Sequence, residues 1–337
     1  MRILVTAELT EPVLDRLRAA GHQLRVDTTW AQQRHILSEE TMIRLAGGCE
    51  IIVAEMEPVS EQVMEAAGSL RLVASARANP VNVDMAAAAA RGITVLHAPG
   101  RNARSVAELT LGLMMALARR VIQADEFVRE GRWRAEHRWW PHLAFQGPVL
   151  GGRTLGLVGY GAVGRQVARR AQAFDMEILA CDPYATSMEP YVQPASLQAL
   201  LRQSDFVSLH AIVTAETTAM IGAEELALMK PTAYFINTAR AALVSEEALY
   251  QALVTERIAG AALDVFWREP LPPGSPWLTL TNVILTPHLG GATPDTTQNH
   301  AVMMLEDIER FLEGQRPIHM ANPEVWEGQH REDTPTV

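Results

Sequence analysis

The sequence predicts an α/β chain with two doubly wound parallel sheets. Two observations carry this. Short, continuous apolar runs alternate with helix-period segments, from Ile3 to Leu96 and again from Thr154 to Thr286. A glycine-rich stretch, Gly159 to Gly164, directly follows the first strand of the second series. With 337 residues the chain is long enough for two cores, and 48% hydrophobic against 20% charged residues is globular composition rather than disorder.

In the first series Ile3 to Val5 reads as a strand, and Glu11 to Ala20 as a helix stopped by Gly21. Then come strand Leu24 to Val26, a helix around Glu39 to Leu45, the buried strand Glu50 to Val53 and a helix from Ser60. Strand Leu72 to Ser75, helix Asp84 to Arg91 and strand Thr94 to Leu96 complete the series. A long helix follows. Ser105 with Glu108 three residues later fits a capping box, and the helix is expected to run to about Gly131. Residues 132–150 carry Trp133, Trp139, Trp140, Pro141 and Pro148, and read as an irregular loop. It packs either on its own domain or on a second subunit.

The second series has strands Thr154 to Val158, Glu177 to Ala180, Phe206 to Leu209, Ala233 to Asn237, Ala259 to Asp264 and Val283 to Thr286. A final helix, Thr296 to Leu312, stops at Gly314, and the polar tail after Asn322 is expected to fray. No internal repeat is evident.

A formal charge of −10 argues against a nucleic-acid partner. It leaves anionic substrates open, since a site needs only local cations. Cys49 and Cys181 lack metal-type spacing and imply neither a disulfide framework nor a zinc site; no metal is expected. The N-terminal apolar run is too short for a signal peptide, and Leu109 to Ala118 is too short for a membrane span. A cytoplasmic protein without a membrane partner is the expectation.

Gly159-Tyr160-Gly161-Ala162-Val163-Gly164 fits G-x-G-x-x-G. The first glycine permits a tight turn, the second lets backbone approach pyrophosphate, and the third lets helix and strand pack closely. The next helix, about Val163 to Phe174, points its N-terminus at the phosphates. Asp182 lies 18 residues after Gly164, close to the spacing of about 20 for the acid that accepts from ribose hydroxyls. It would repel a 2′-phosphate, and no arginine adjoins it, so NAD is favoured over NADP. Arg165 and Arg169 lie on the helix, either as solvated charges or within reach of phosphates.

Three segments beyond this motif supply a cation, a base near neutrality and a carboxylate. They are Asn237 to Arg240, Asp264 to Pro270, and Thr286 to Gly291, each at a strand end where open α/β sheets collect ligands. Arginine can hold a carboxylate bidentately. Histidine can exchange a proton at neutral pH. An acid beside it orients the ring and favours its charged form.

In this order, these residues resemble the D-isomer-specific 2-hydroxyacid dehydrogenase family. The similarity extends to Val106 to Thr110, Val207 to His210, Thr214 to Thr217 and Asn322-Pro323. It implies a Rossmann NAD-binding domain, 101–298, inserted into a flavodoxin-like substrate-binding domain, 1–100 and 299–337. It implies hydride transfer between NAD and a small D-2-hydroxy or 2-keto acid. Arg240 would bind the substrate carboxylate and carbonyl, His288 would be the acid/base, and Glu269 would pair with His288. Asp264 would hold the nicotinamide carboxamide, with His288 and Gly291 near the ring. Gly159, Gly161, Ala162, Val163, Gly164, Asp182, His210, Ala211, Thr217, Thr238, Ala239 and Arg240 would line the cofactor groove. The family is usually dimeric, which makes the Trp-rich segment a candidate homodimer contact. Formate dehydrogenases of this scaffold carry glutamine beside the histidine, so Glu269 favours a hydroxy acid; phosphite dehydrogenase keeps all three residues.

The sequence departs from the resemblance at Arg77-Ala78-Asn79-Pro80, where relatives carry glycines whose N–H groups hold the substrate carboxylate. Pro80 has no N–H to give. Donors remain at Ala78 and Asn79, and Arg77 either binds a second group or pairs within its lobe. The altered loop points away from plain phosphoglycerate and lactate, toward a polyhydroxylated acid. Ala241 and Ala211-Ile212-Val213 are smaller departures that remove no reacting group. The chain is too short for a regulatory domain, so serine feedback is not expected. The competing expectation is a cofactor-sensing corepressor on the same fold, which would bind NADH without turnover.

Overall fold

The computed structural model describes residues 1–27 and 29–329. The chain divides into two compact units, one formed by Met1–Arg101 with the chain from Thr293 onward, the other by Asn102–Ala292.

The first unit holds a five-stranded, all-parallel sheet in the order β2-β1-β3-β4-β5. Its strands are β1 (Arg2–Val5), β2 (Gln23–Val26), β3 (Ile51–Ala54), β4 (Leu72–Ser75) and β5 (Thr94–Leu96). This is the flavodoxin-like order. Successive side chains face opposite sides of a strand. Ile3, Val5, Ile51, Val53 and Leu72 therefore pack under the helices Glu11–Ala19 and Pro294–Leu312. Leu4, Ile52, Ala54, Val73 and Val95 pack under Glu39–Ala46, Glu61–Ala67 and Met85–Ala90. Ser38, Ser60 and Asp84 cap those three helices, each side-chain oxygen accepting from the backbone N–H three residues on.

The second unit holds a seven-stranded parallel sheet in the order β12-β11-β10-β9-β6-β7-β8. Its strands are β6 (Thr154–Val158), β7 (Glu177–Cys181), β8 (Val192–Pro194), β9 (Phe206–Leu209), β10 (Tyr234–Asn237), β11 (Gly260–Leu263) and β12 (Val283–Leu285). Counted from β6, the six strands from β8 to β11 run 3-2-1-4-5-6, the Rossmann order, with β12 added beyond β11. The order reverses between β6 and β9, so the crevice beyond their carboxyl ends is the topological switch point. The helices Ala103–Ala118 and Ala162–Gln172 cover one face and Leu197–Gln203, Ala223–Leu228 and Glu246–Val254 the other.

Four expectations need correction. The long helix begins at Ala103 after Asn102, so Ser105 lies inside it, and the Ser105 hydroxyl donates to the Gly290 carbonyl at 2.7 Å instead of capping. That helix ends at Ala118, because Arg120 turns into the left-handed region at φ 48°, and a separate helix runs Val121–Arg129. The chain after Asn322 does not fray at once. Pro323–Gln329 is a helix, with Val325 and Trp326 buried and Trp326 tilted against Phe311 at 5.9 Å. Residues 330–337 of the polar tail lie outside the described residues. The segment expected to be irregular contains the short helix Trp140–Ala144, whose Trp140 stacks on Phe127 at 5.2 Å.

Asn322 anchors the tail helix. It is 2% exposed, its Oδ1 accepts from Val95 N at 2.7 Å, and its Nδ2 donates to Ile93 O at 2.9 Å. Asn322→Ala leaves both backbone groups of the β5 edge unsatisfied and is expected to cost about 2–3 kcal/mol. A lowered midpoint in thermal unfolding checks it.

Candidate active site

The glycine fingerprint begins where β6 ends. Gly159 sits at φ +98°, and a Cβ there would come within 2.5 Å of the Ala211 nitrogen and the His210 carbonyl carbon. A Cβ on Gly164 would strike the Gly159 oxygen at 2.4 Å. Gly161 differs, since a Cβ there would meet no protein atom within 4 Å. Two glycines thus serve the protein's own packing, and the third leaves room over the N-terminus of Ala162–Gln172, a helix end with no side-chain cap. That end, with free N–H groups and an open approach, suits a pyrophosphate.

Asp182 stands at the end of β7. Its Oδ2 accepts from Tyr160 N at 2.7 Å and its Oδ1 from Tyr184 N at 2.9 Å. The carboxylate is fixed beside the fingerprint with lone pairs to spare. His210 closes β9. Burial pushes its imidazole down to about 3, so it stays neutral, with Nε2 on the Ser208 hydroxyl at 2.9 Å and Nδ1 unpartnered among the described residues. The Thr217 hydroxyl donates to Ile212 O at 2.6 Å and accepts from Thr214 N at 2.7 Å, closing the loop after His210. Thr238 is buried against the Thr110 hydroxyl at 2.9 Å. These residues fit a dinucleotide.

The candidate reacting constellation comes from the ends of β10, β11 and β12. Asn237 shapes the first turn: its Oδ1 accepts from Ala239 N and its Nδ2 donates to Arg240 O, both at 3.0 Å. Arg240 projects beyond that turn, exposed, with Nη1 donating to Ala239 O at 2.6 Å. Most of its guanidinium donors remain for a ligand. Glu269 precedes a cis peptide bond to Pro270. Its Oε1 accepts from Phe266 N at 2.9 Å, and its Oε2 meets His288 Nδ1 at 2.8 Å. Burial raises the Glu269 carboxyl, but the hydrogen bonds from His288 and Phe266 and the charges of His288 and Arg240 outweigh it and hold it below the usual carboxylate range. The structure brings Glu269 and His288 into direct contact, and the charge of Arg240 acts on the Glu269 carboxyl.

An ionised carboxylate accepts only, so Nδ1 of His288 carries the hydrogen of that bond. Nε2 makes no hydrogen bond among the described residues, and the side chain is 47% exposed. His288 itself sits at φ 57°, where non-glycine residues rarely stand. Asp264 holds it there. This carboxylate is 0% exposed and takes three hydrogen bonds: Thr286 Oγ1 at 2.6 Å, Leu289 N at 2.7 Å and Gly290 N at 2.8 Å. Sequence reasoning placed Asp264 near the ring of the cofactor and missed this clamp, which no local motif announces. Gly291 lies close by, where an added Cβ would approach Asn102 Nδ2 at 3.3 Å.

In the other unit, the loop after β4 holds the remaining candidates. Ala78 and Asn79 are exposed, and their N–H groups donate to nothing among the described residues. Arg77 is half-buried with its Nη1 on the Met56 sulfur. His97, absent from the sequence reading, braces the loop through Nδ1 on Ala78 O at 2.9 Å. Among the described residues no three His, Cys, Asp or Glu side chains form a metal-ligand set, and both cysteines are free thiols.

The pattern described as "D-isomer specific 2-hydroxyacid dehydrogenase, NAD binding domain" matches residues 111–290. The chain belongs to the D-isomer specific 2-hydroxyacid dehydrogenase family. It is an oxidoreductase of that family, built on an NAD(P)-binding domain. The glyoxylate reductase of Korarchaeum cryptofilum is 40% identical over 328 residues, covering 96% of both chains. Among solved structures, the TT0316 protein of Thermus thermophilus superposes with a TM-score of 0.82 at 38% identity, over 95% of this chain and 100% of that one. An acyclic imino acid reductase, Bsp5, solved with NADPH and D-Arg, gives a TM-score of 0.80 at 27% identity, over 95% and 99%. The fold of a 2-hydroxyacid dehydrogenase therefore does not by itself select between the two nicotinamide cofactors.

Asp264→Asn turns one acceptor into a donor that faces a backbone N–H. It is expected to cost about 1–3 kcal/mol of stability. It is also expected to lower kcat by releasing His288. Thermal unfolding together with steady-state turnover checks both.

Proposed function

We propose that the chain interconverts a small D-2-hydroxy acid and its 2-keto acid with NAD, using His288 as acid/base, Glu269 as its partner and Arg240 as the carboxylate anchor. The Glu269–His288 pair beside the charge of Arg240 is the observation that carries this reading. When bound, the reduced cofactor would supply a hydride to the substrate C2, and the oxidised cofactor would accept one from it. Toward the keto acid, His288 delivers the proton from Nε2, because Nδ1 is committed to Glu269. Arg240 offers its planar fork to the carboxylate and polarises the adjoining carbonyl. In the hydroxy-acid direction Nε2 takes the hydroxyl proton, and the ionised Glu269 stabilises the imidazolium that forms.

The chain from 101 to 298 is proposed as the NAD-binding domain, and 1–100 with 299–337 as the substrate-binding domain. Gly159, Gly161, Ala162, Val163 and Gly164 would cradle the pyrophosphate. His210, Ala211, Thr217, Thr238 and Ala239 would line the groove. Asp264 is proposed to act on the nicotinamide side of the groove through the 286–290 turn that it holds, with Gly291 proposed near the ring. Asp182 favours NAD over NADP because its carboxylate accepts from ribose hydroxyls and repels a phosphate. Arg77, Ala78 and Asn79 are proposed as substrate-binding, on the two free N–H groups. The glyoxylate reductase relative points to short 2-keto acids.

A homodimer is also proposed. Trp133, Trp139 and Leu143 are 58%, 64% and 74% exposed on one segment, as an interface would use. The free thiols accord with a reducing compartment, the cytoplasm.

The direct test is loss of NADH absorbance with a panel of glyoxylate, hydroxypyruvate, pyruvate and polyhydroxylated 2-keto acids. Turnover of one or more supports the reading. Tight NADH binding with no turnover supports a sensor instead.

Glu269 also predicts a pH effect. Its carboxyl is depressed, so the ionised pair is present above the ordinary carboxylate value, about 4.3, and is lost as pH falls through the lower folded value. Across neutral pH the negative charge therefore persists beside His288. Glu269→Gln removes it, and kcat/KM for keto-acid reduction is expected to fall by about 10²-fold. An unchanged kcat/KM would contradict the pairing.

A further inference from the structure

A second group of charges sits on the cofactor fingerprint, and the reading above does not use it. Tyr160 lies between the first two glycines. Its ring is buried, its N–H donates to Asp182, and its hydroxyl donates to Glu189. Glu189 also meets Arg165, the residue immediately after the fingerprint, with Nη1 at 3.3 Å from Oε1 and 3.2 Å from Oε2. The other terminal nitrogen of Arg165, Nη2, donates to Ser187 O at 2.6 Å. The guanidinium carbon Cζ lies over the Tyr160 ring, 4.6 Å from its centroid. Arg165 is thus held on three sides: by a carboxylate, by a carbonyl and by an aromatic face.

The placement matters for cofactor choice. Tyr160 binds both ends of the segment after β7, Asp182 with its amide and Glu189 with its hydroxyl. Asp182 is the acid proposed to accept from ribose hydroxyls. A 2′-phosphate at the same ribose would call for arginine, whose fork matches phosphate geometry. Arg165 is a cation tied to that segment through Nη1 and Nη2. Arg169, one helical turn on, is exposed.

We infer that Glu189 is a cofactor-specificity determinant, a positioning residue that latches Arg165 onto the 182–189 segment and withholds it from a 2′-phosphate. The inference rests on the proposal that NAD is the cofactor. Asp182 repels the phosphate, and the Glu189 latch removes the cation that would offset that repulsion. Releasing Arg165 gives the site a charge-assisted donor for the extra phosphate.

The test compares kcat/KM with NADH and with NADPH in the wild type, Glu189→Gln, Glu189→Asp and the double variant Arg165→Ala with Glu189→Gln. The wild-type ratio tests the NAD proposal by itself; the change in ratio tests the latch. Glu189→Gln keeps an acceptor for the Tyr160 hydroxyl and removes the charge. It is expected to raise the NADPH/NADH ratio about tenfold, the size of one charge-assisted contact. Glu189→Asp keeps the charge and is expected to stay near the wild-type ratio. The double variant is expected to lose the gain. An unchanged ratio in Glu189→Gln overturns the latch, and so does an equal loss with both cofactors. A gain that survives in the double variant also overturns it, since the effect would then belong to the Glu189 charge alone or to Arg169.

Discussion

The structure of the reacting site depends on one buried carboxylate. Asp264 takes three hydrogen bonds from the 286–290 turn and has no contact with water. A buried charge is costly unless it is fully hydrogen-bonded. Here the turn meets that requirement, and in return the turn is held in one conformation. That conformation places His288 in left-handed backbone at φ 57°. An exposed histidine would not hold such a backbone unaided. With the ring so placed, Nδ1 reaches Glu269 and Nε2 is left for proton exchange.

The proposed chemistry would follow from a division of labour among strand ends. β10 delivers Arg240 through an asparagine-shaped turn, β11 delivers Asp264 and the segment to Glu269, and β12 delivers His288. Each is set at the carboxyl edge of one parallel sheet. The glycine fingerprint stands at the switch point of that sheet, where the order reverses between β6 and β9. The rigid sheet fixes the spacing, and short turns supply the side chains.

Much of this was legible in the sequence, for identifiable reasons. Strands such as Leu72–Ser75 and Phe206–Leu209 are buried on both faces, so they read as unbroken apolar runs. The fingerprint was legible because backbone approach demands glycine. Other features were not. Ser105 and Glu108 have capping-box spacing, yet Ser105 bonds to Gly290, 185 residues away, and no local pattern encodes that. Arg120 breaks the long helix in a left-handed conformation that usually signals glycine. The tail helix is held by Asn322 and Trp326, which act through β5 and Phe311. Asp264 was noticed for its type and strand-end position; its three partners lie more than twenty residues away.

The central claim is that His288 moves the proton. Single-turnover reduction of a keto acid by His288→Ala, with NADH binding followed separately by fluorescence, tests it most directly. The account predicts that NADH still binds while the rate falls by about 10²–10⁴-fold. A near-normal rate in that variant would contradict it.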